Sequence, residues 1–397
     1  MKRIYIVTVL TSLAVILAAY CVNNFILSKN SDKSIKVGFI YVGDASDGYT
    51  NNFIKSQKAV ENYYGEQVQT IAKYNIVENA TLPALKDLAD AGCDLIFTTS
   101  YGYGEETKKF AKEHPEIQFC QATCANANEE PVLENYHTFM GMIYQGRYAA
   151  GVVAGMKLKE LINDGALKPE QAKIGYVAAF PYAEVISGYT AFFLGIRSIV
   201  PEATMTVKYV DSWTDYTREK KCAEELIEEG CVIISQHSDT AGPASACEET
   251  DKSRIVYHVG YNQSMSRIAP TTYLTGSKIN WDPYILSAVN AVLKNKKIER
   301  CTDAHINGND AGAGFDCGWV EMLELNTIAA ADGTQEAVDA VISDFKKGKI
   351  DVFKGDYIGV NPNDPNDTYD LRKGYTENKI CSAPSFSYVL KDVITVE

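Results

Sequence analysis

The sequence predicts an α/β fold of two doubly wound parallel-sheet lobes joined by a hinge, and three observations carry that prediction. The first is an internal repeat: Lys36-Val-Gly-Phe-Ile-Tyr41 matches Lys173-Ile-Gly-Tyr-Val-Ala178, and Ile117-Gln-Phe-Cys120 matches Ile255-Val-Tyr-His258. Between them Leu85–Ser100 matches Ala223–Ser238 in nearly the same register, with Gly92-Cys93 answering Gly230-Cys231. The second is that the apolar runs are continuous and do not alternate, as in strands covered by helices on both faces. The third is the alternation of those runs with stretches of helical period, which winds each half as βαβ units. With 397 residues, 46% of them hydrophobic, the chain is long enough to bury two such cores.

In the first half the pattern places strands near 36–42, 67–73, 94–98 and 117–121, with helices near 52–64, 81–91 and 104–113. The second half repeats the series: strands near 173–178, 204–210, 231–235 and 255–259, and helices near 185–199, 216–229 and 240–249. Asn79 or Thr81 opens the second helix with Pro83 in its first turn, and Gly92 and Gly230 close helices where a left-handed residue is needed. Each half is therefore a Rossmann-like unit. Strand-like segments near 140–144 and 273–277 join the halves and are expected to act as the hinge. The stripe Gly146, Gly151 and Gly155 suggests close helix-to-sheet packing, because Arg147 and Lys157 flank it and argue against a membrane interface. From Cys301 onward the chain departs from the repeat. Residues 308–318 are expected as a loop, since their spacing lacks the acids of an EF-hand. A helix is expected near 334–347, a turn-rich surface connection at 361–368, and a strand returning to one lobe within 382–397. The boundaries that follow are 1–30 for a signal or anchor, 33–141 for lobe 1, 142–275 for lobe 2, and 276–397 for a crossover back to lobe 1 with a C-terminal extension.

At the N-terminus, Lys2 and Arg3 precede an uncharged run from Ile4 to Leu27. It is an export signal ending near Ala18-Ala19-Tyr20-Cys21, with Cys21 acylated as in a bacterial lipoprotein, or an uncleaved anchor that as a helix would span about 36 Å. Tyr20 departs from the small residue usual before a lipidated cysteine. In both cases the basic pair stays inside and residues 31 onward are tethered outside the cytoplasmic membrane. The formal charge of −13 argues against nucleic acid, whose phosphates require a basic face. Cys120 with Cys124, and Cys301 with Cys317, are candidate disulfides in an exported chain, whereas Cys93, Cys222 and Cys231 are expected as small buried residues. The chain has no C-x-x-C pair and five dispersed histidines, which argues against zinc, and no cofactor is expected.

Tandem α/β lobes set the carboxyl ends of two strand sets opposite one another, and ligands bind outside those ends. This is a type I periplasmic-binding-protein-like arrangement, in which lobes close over a ligand. The loops after the strands then supply the candidate site. The first lobe offers Asp44, Asp47, Tyr49 and Asn52, followed by Ser100 and Tyr101 at a helix start whose free N–H groups suit a polar group. The second offers Phe180, Tyr182, Trp213, His237, Asp239, Gly260 and Asn262, and Trp281 lies beyond the crossover. Aromatic faces with a few fixed acceptors suit a flat nitrogen heterocycle or a sugar, and composition leaves both open, with amino acids or peptides behind them.

Over residues 36–280 the chain resembles the basic membrane protein (BMP), or PnrA-like, family of substrate-binding lipoproteins. The matching segments are G-F-I-Y-V-G at 38–43, D-G-Y at 47–49, M-I-Y-Q-G-R-Y-A-A-G-V-V-A-G at 142–155, K-I-G-Y-V-A-A-F-P at 173–181, D-S-W-T-D at 211–215, Q-H-S-D at 236–239 and V-G-Y-N at 259–262. The resemblance implies a binding protein that serves an ABC permease and takes purine nucleosides or nucleobases. It also implies that Tyr49 replaces a stacking Trp, that Trp213 and Trp281 fall in the cleft, and that Asp239 reads the base. Tyr at 49, and Asn262 where relatives often carry Asp, depart from the pattern. Two other classes stand beside this reading: a nucleoside hydrolase using Asp44 and Asp47, for which no nucleophile or metal motif is present, and a membrane-tethered sensor using the same cleft. Mass spectrometry of the mature protein separates the N-terminal alternatives: an acylated Cys21 at the new terminus marks the lipoprotein, and a retained Met1 the anchor.

Overall fold

The apolar runs of the first half become parallel strands because helices cover both of their faces and leave no face for water. The computed structural model describes residues 34–397, so Cys21 and the Ile4–Leu27 run lie outside the described residues. β1 (Ile35–Ile40), β2 (Val68–Lys73), β3 (Leu95–Thr98), β4 (Gln118–Ala122) and β5 (Tyr136–Gly141) pair in parallel in the order β2-β1-β3-β4-β5. Helices α1 (Gly48–Tyr64), α2 (Thr81–Asp90) and α3 (Gly104–Glu113) form the crossovers. Every residue of β3 and β5 is buried.

The chain then leaves this sheet at Met142 and enters α4 (Ile143–Asn163). The second sheet repeats the winding with β6 (Lys173–Ala178), β7 (Thr204–Tyr209), β8 (Ile233–His237), β9 (Tyr257–Tyr261) and β10 (Tyr273–Ile279), in the order β7-β6-β8-β9-β10. Its crossovers use α5 (Ala183–Arg197), α6 (Tyr216–Glu228) and α7 (Gly242–Glu249). Segment 273–277 is the body of an internal strand, so it is not a hinge: the return to the first lobe comes after Ile279, through Trp281 into α8 (Asp282–Leu293).

The region after Cys301 is more ordered than expected. The 308–318 run is not simply a loop: β11 (His305–Asn307) and β12 (Asp310–Ala313) form a hairpin, and β12 adds to β5 in parallel. Its small residues allow close packing, since a Cβ on Gly312 would lie 2.9 Å from Ser382 Cβ. Asp310 fixes the strand, accepting from Thr138 Oγ1 at 2.6 Å and Ser382 Oγ at 2.7 Å. The chain then crosses between the sheets a third time, into β13 (Val320–Met322), antiparallel to β10. α9 (Thr334–Lys346) follows. The 361–368 segment holds the turn between β14 (Ile358–Asn361) and β15 (Asp364–Asp370), to which β16 (Val389–Leu390) adds. β17 (Ile394–Val396) joins the second sheet beside β7.

The nine described cysteines are free thiols. Neither expected disulfide forms. Cys120 is buried mid-strand, where its Sγ accepts from Tyr284 Oη at 3.4 Å, while Cys124 Sγ donates to the Tyr101 carbonyl at 3.2 Å. Cys93 and Cys231 are buried and Cys222 is half-buried.

The glycine stripe of α4 packs mainly against another helix, not against a sheet. A Cβ on Gly151 would stand 2.0 Å from the Phe192 carbonyl oxygen on α5, and one on Gly195 would stand 2.1 Å from the Tyr148 oxygen on α4. Gly155 likewise faces Ile199, and only Gly146 meets sheet side chains, Val320 and Ser277. Such contacts are backbone on backbone, so no rotamer change relieves them. Gly151→Ala should therefore destabilise the protein by about 1–3 kcal/mol, read as a lowered Tm in calorimetry.

Candidate functional site

The carboxyl ends of the two sheets face one cavity of about 640 Å³. Each wall is built from the segments that follow parallel strands, where the backbone must turn and N–H groups come free. From the first lobe come the β1–α1 loop with Asp44 and Asp47, Tyr49 in the first turn of α1, Ser100 and Tyr101 after β3, and Thr123 after β4. The second lobe supplies Phe180 and Glu184, the loop Asp211–Thr214, then His237 and Asp239, and finally Tyr261 and Asn262. Four of these wall residues hold left-handed backbone without being glycine: Asn75 (φ 55°), Thr123 (66°), Asp211 (51°) and Asn262 (62°). Strain of this kind persists only where surrounding contacts over-determine it, and it concentrates at ligand sites.

The carboxylates are not equivalent. Asp47 caps α1, accepting from Thr50 N at 2.6 Å, and burial raises its pKa. Asp44 accepts from Ser46 N at 2.9 Å, Ser46 Oγ at 2.6 Å and Asn75 Nδ2 at 3.2 Å, and these bonds hold its carboxyl below the usual range. Asp239 is 8% exposed and takes one side-chain bond, from Asn262 Nδ2 to Oδ1 at 3.0 Å; Oδ2 has no partner among the described residues. Burial, then the Asp47 charge, raise the Asp239 pKa well above the ordinary carboxylate value.

Aromatic side chains form a second feature. Phe180 stacks on Tyr182 with centroids 5.2 Å apart, and Trp213 meets Phe180 edge-on at 5.4 Å. Tyr182 itself is not a wall residue. It stands at the rim, half exposed, with its ring 5.9 Å from Tyr101 of the other lobe. Trp281 is not in the wall either: it is 1% exposed and stacks on Phe53 at 4.3 Å, inside the first-lobe core. There it supports Tyr49, whose ring meets it edge-on at 6.3 Å and whose hydroxyl donates to the Thr99 carbonyl.

Two further expected residues lie behind the wall. Asn52 is buried, and its Nδ2 donates to the Asn262 carbonyl at 2.9 Å, which ties the lobes together. Gly260 lies within β9, where its carbonyl accepts from Arg147. Ser100 lines the cavity, but its hydroxyl donates to Glu78 at 2.6 Å. Glu184, Thr123 and Tyr261 were not among the expected residues. Glu184 sits in the first turn of α5, at the end of the Phe180–Glu184 segment from which the sequence singled out Phe180 and Tyr182. Thr123 carries no sequence signal beyond following a strand.

Beneath the second-lobe wall, Arg147 is wholly buried. Its guanidinium donates to Tyr176 Oη and Ser235 Oγ at 2.8 Å, and to the Gln236 and Gly260 carbonyls at 3.2 Å. The rings of Tyr176, Phe192 and Tyr261 stand 5.2 to 5.5 Å from it. His237 and His258 lie nearby, and burial, with this charge as a further cause, lowers both of their pKa values, His258 to about 3. His237 is 1% exposed with neither ring nitrogen hydrogen-bonded, and its Nε2 stands 3.5 Å from Glu184 Oε1. Among the described residues no cluster of His, Cys, Asp and Glu is arranged to hold a metal ion, and no helix is long and apolar enough to cross a membrane.

Comparison with known proteins adds three findings. A family model described as ABC transporter substrate-binding protein PnrA-like matches residues 34–347. A purine-binding protein of Brucella abortus is 30% identical over 82% of this chain and 85% of its own length; a putative ABC transporter glucose-binding protein of Haloferax volcanii is 30% identical over 64% and 59%. Among solved structures, an ABC transporter solute-binding protein from Conexibacter woesei superimposes with a TM-score of 0.62 at 17% identity, covering 80% of this chain and 98% of that one, a likeness of fold.

The buried histidine makes a stability prediction. Burial lowers the pKa of native His258 to about 3, whereas the unfolded chain protonates it near the ordinary histidine value of 6.5. The unfolded state thus binds more protons between those values, so the contribution is complete above pH 6.5 and is lost as pH falls toward 3. Between pH 7 and 5 the wild type should lose about 2 kcal/mol relative to His258→Phe in denaturant titrations.

Proposed function

The chain belongs to the PnrA-like family of ABC transporter substrate-binding proteins, and from that premise we propose that it captures a purine nucleoside or nucleobase outside the cytoplasmic membrane and delivers it to an ABC permease. The observation that carries this reading is a pair of aromatic side chains, Phe180 and Trp213, in the same cavity as a buried carboxylate with a free oxygen, Asp239 Oδ2. A ring stacked on the wall can donate to that oxygen from a ring N–H or an exocyclic amine. Tyr49 closes the first-lobe side, and Asn262 holds Asp239 in place. The volume is that of an ordinary small-molecule site. The name of the Brucella relative supports the same ligand class.

Binding works here by closure of the lobes about the crossovers at Met142 and after Ile279. Asn52, Tyr182 and Trp281 then act from outside the wall, as latch, rim and support. Micromolar to nanomolar affinity corresponds to about −8 to −12 kcal/mol, and stacking supplies about 1–3 kcal/mol per face. The tether is an acylated Cys21 or the uncleaved run from Ile4 to Leu27. A sugar is the second reading, favoured by the carboxylate-rich wall and the name of the Haloferax relative.

Calorimetric titration with purine nucleosides, nucleobases and monosaccharides decides between the two, and recovery of the ligand intact after release distinguishes capture from turnover. Asp239→Ala should abolish measurable purine binding with Tm nearly unchanged, because burial already penalises this carboxylate. Trp213→Ala should weaken binding at least about tenfold. Unchanged affinity in either variant moves the ligand elsewhere.

A further inference from the structure

The cavity carries charge of one sign. Asp44, Asp47, Glu184, Asp211 and Asp239 line it, and among the described residues no lysine or arginine does. Among the described residues, Asp211 alone of the five meets a lysine or arginine, Arg218 at 3.4 Å on the exposed rim. Hydroxyl and amide donors serve Asp44, Asp47 and Asp239, while Glu184 faces only the His237 ring. Arg147 stands behind the wall, with the Tyr261 ring 5.3 Å from it.

Two independent features point to a ligand that answers this charge. His237 lines the cavity while 1% exposed; among the described residues neither ring nitrogen is hydrogen-bonded, and Nε2 faces the Glu184 carboxylate at 3.5 Å. Phe180 and Trp213 line the same cavity, and an aromatic face carries the negative side of the ring quadrupole, which attracts a cation lying over it. Asp47 and Asp239 repel one another when both are charged, and burial weakens the screening that water would give. A bound positive charge relieves that repulsion; a phosphate adds to it.

We propose that this cavity selects by charge: it takes cationic flat heterocycles, in particular N-methylated purine nucleosides, more tightly than their neutral parents, and it rejects phosphorylated ones. The proposal rests on the purine reading above and narrows it to a charge class. Glu184 and Asp239 are its specificity-determining residues, reading charge where the aromatic wall reads shape.

The test is calorimetry on the full chain in mild detergent at pH 6, with guanosine, adenosine, 7-methylguanosine, 1-methyladenosine and guanosine 5′-monophosphate. The two methylated rings carry the methyl group on different edges, so a clash with one leaves the other as a probe. At least one cationic nucleoside should bind tenfold or more tightly than its parent, and the monophosphate should not bind measurably. In Glu184→Gln, which leaves Asp239 to read the base, the ratio of cation to parent affinity should fall at least threefold. If both cations bind no better than their parents, if the ratio survives Glu184→Gln, or if the monophosphate binds as well as guanosine, charge selection is overturned while the purine reading stands. If none of the five binds, both are overturned.

Discussion

The second lobe is organised around one buried cation. Arg147 enters from α4 and meets no carboxylate among the described residues; its charge is spread over two hydroxyls, two carbonyls and three aromatic faces. An unpaired buried charge is tolerated only when such partners replace its water, and each of them is thereby fixed. Apart from Phe192 of α5, those partners belong to β6, β8 and β9, so a single side chain aligns the three strand ends from which Phe180, His237, Asp239, Tyr261 and Asn262 project. The same charge helps keep the neighbouring histidines neutral.

Getting Arg147 to that depth requires α4 to lie close against α5. Gly151 and Gly195 permit it, because neither helix presents a side chain where the backbones meet. Packing and electrostatics are thus one constraint: glycines bring the helices together, and the approach seats the cation. The wall above inherits its rigidity from this base. It also holds two non-glycine residues, Asp211 and Asn262, in left-handed conformations, which a softer loop would relax.

Much of the fold was legible because parallel strands announce themselves as short continuous apolar runs, and a repeated register made each half check the other. The strands of both lobes fall within a few residues of where the sequence places them. The extension was less legible. Asp310–Ala313 is a strand with glycine and alanine where strands usually carry bulk, and it is held by Thr138 and Ser382, which are remote in the chain. Likewise 273–277 reads as a connecting strand whichever sheet it joins, so its pattern could not say where the chain crosses back.

By itself the sequence determined the doubling, the alternation of strand and helix, and the placement of polar and aromatic residues just after strand ends, since all three follow from local periodicity. Only the tertiary structure decided which of those residues reach the cavity. Trp281 and Trp213 look alike as residues near a strand end, yet one stacks on Phe53 in the core and the other faces the cleft. Glu184 and Asn52 show the same limit, one brought to the wall and the other withdrawn from it to bond Asn262. The direction of a side chain at a strand end depends on how the lobes meet, and that is fixed by contacts between residues far apart in the chain.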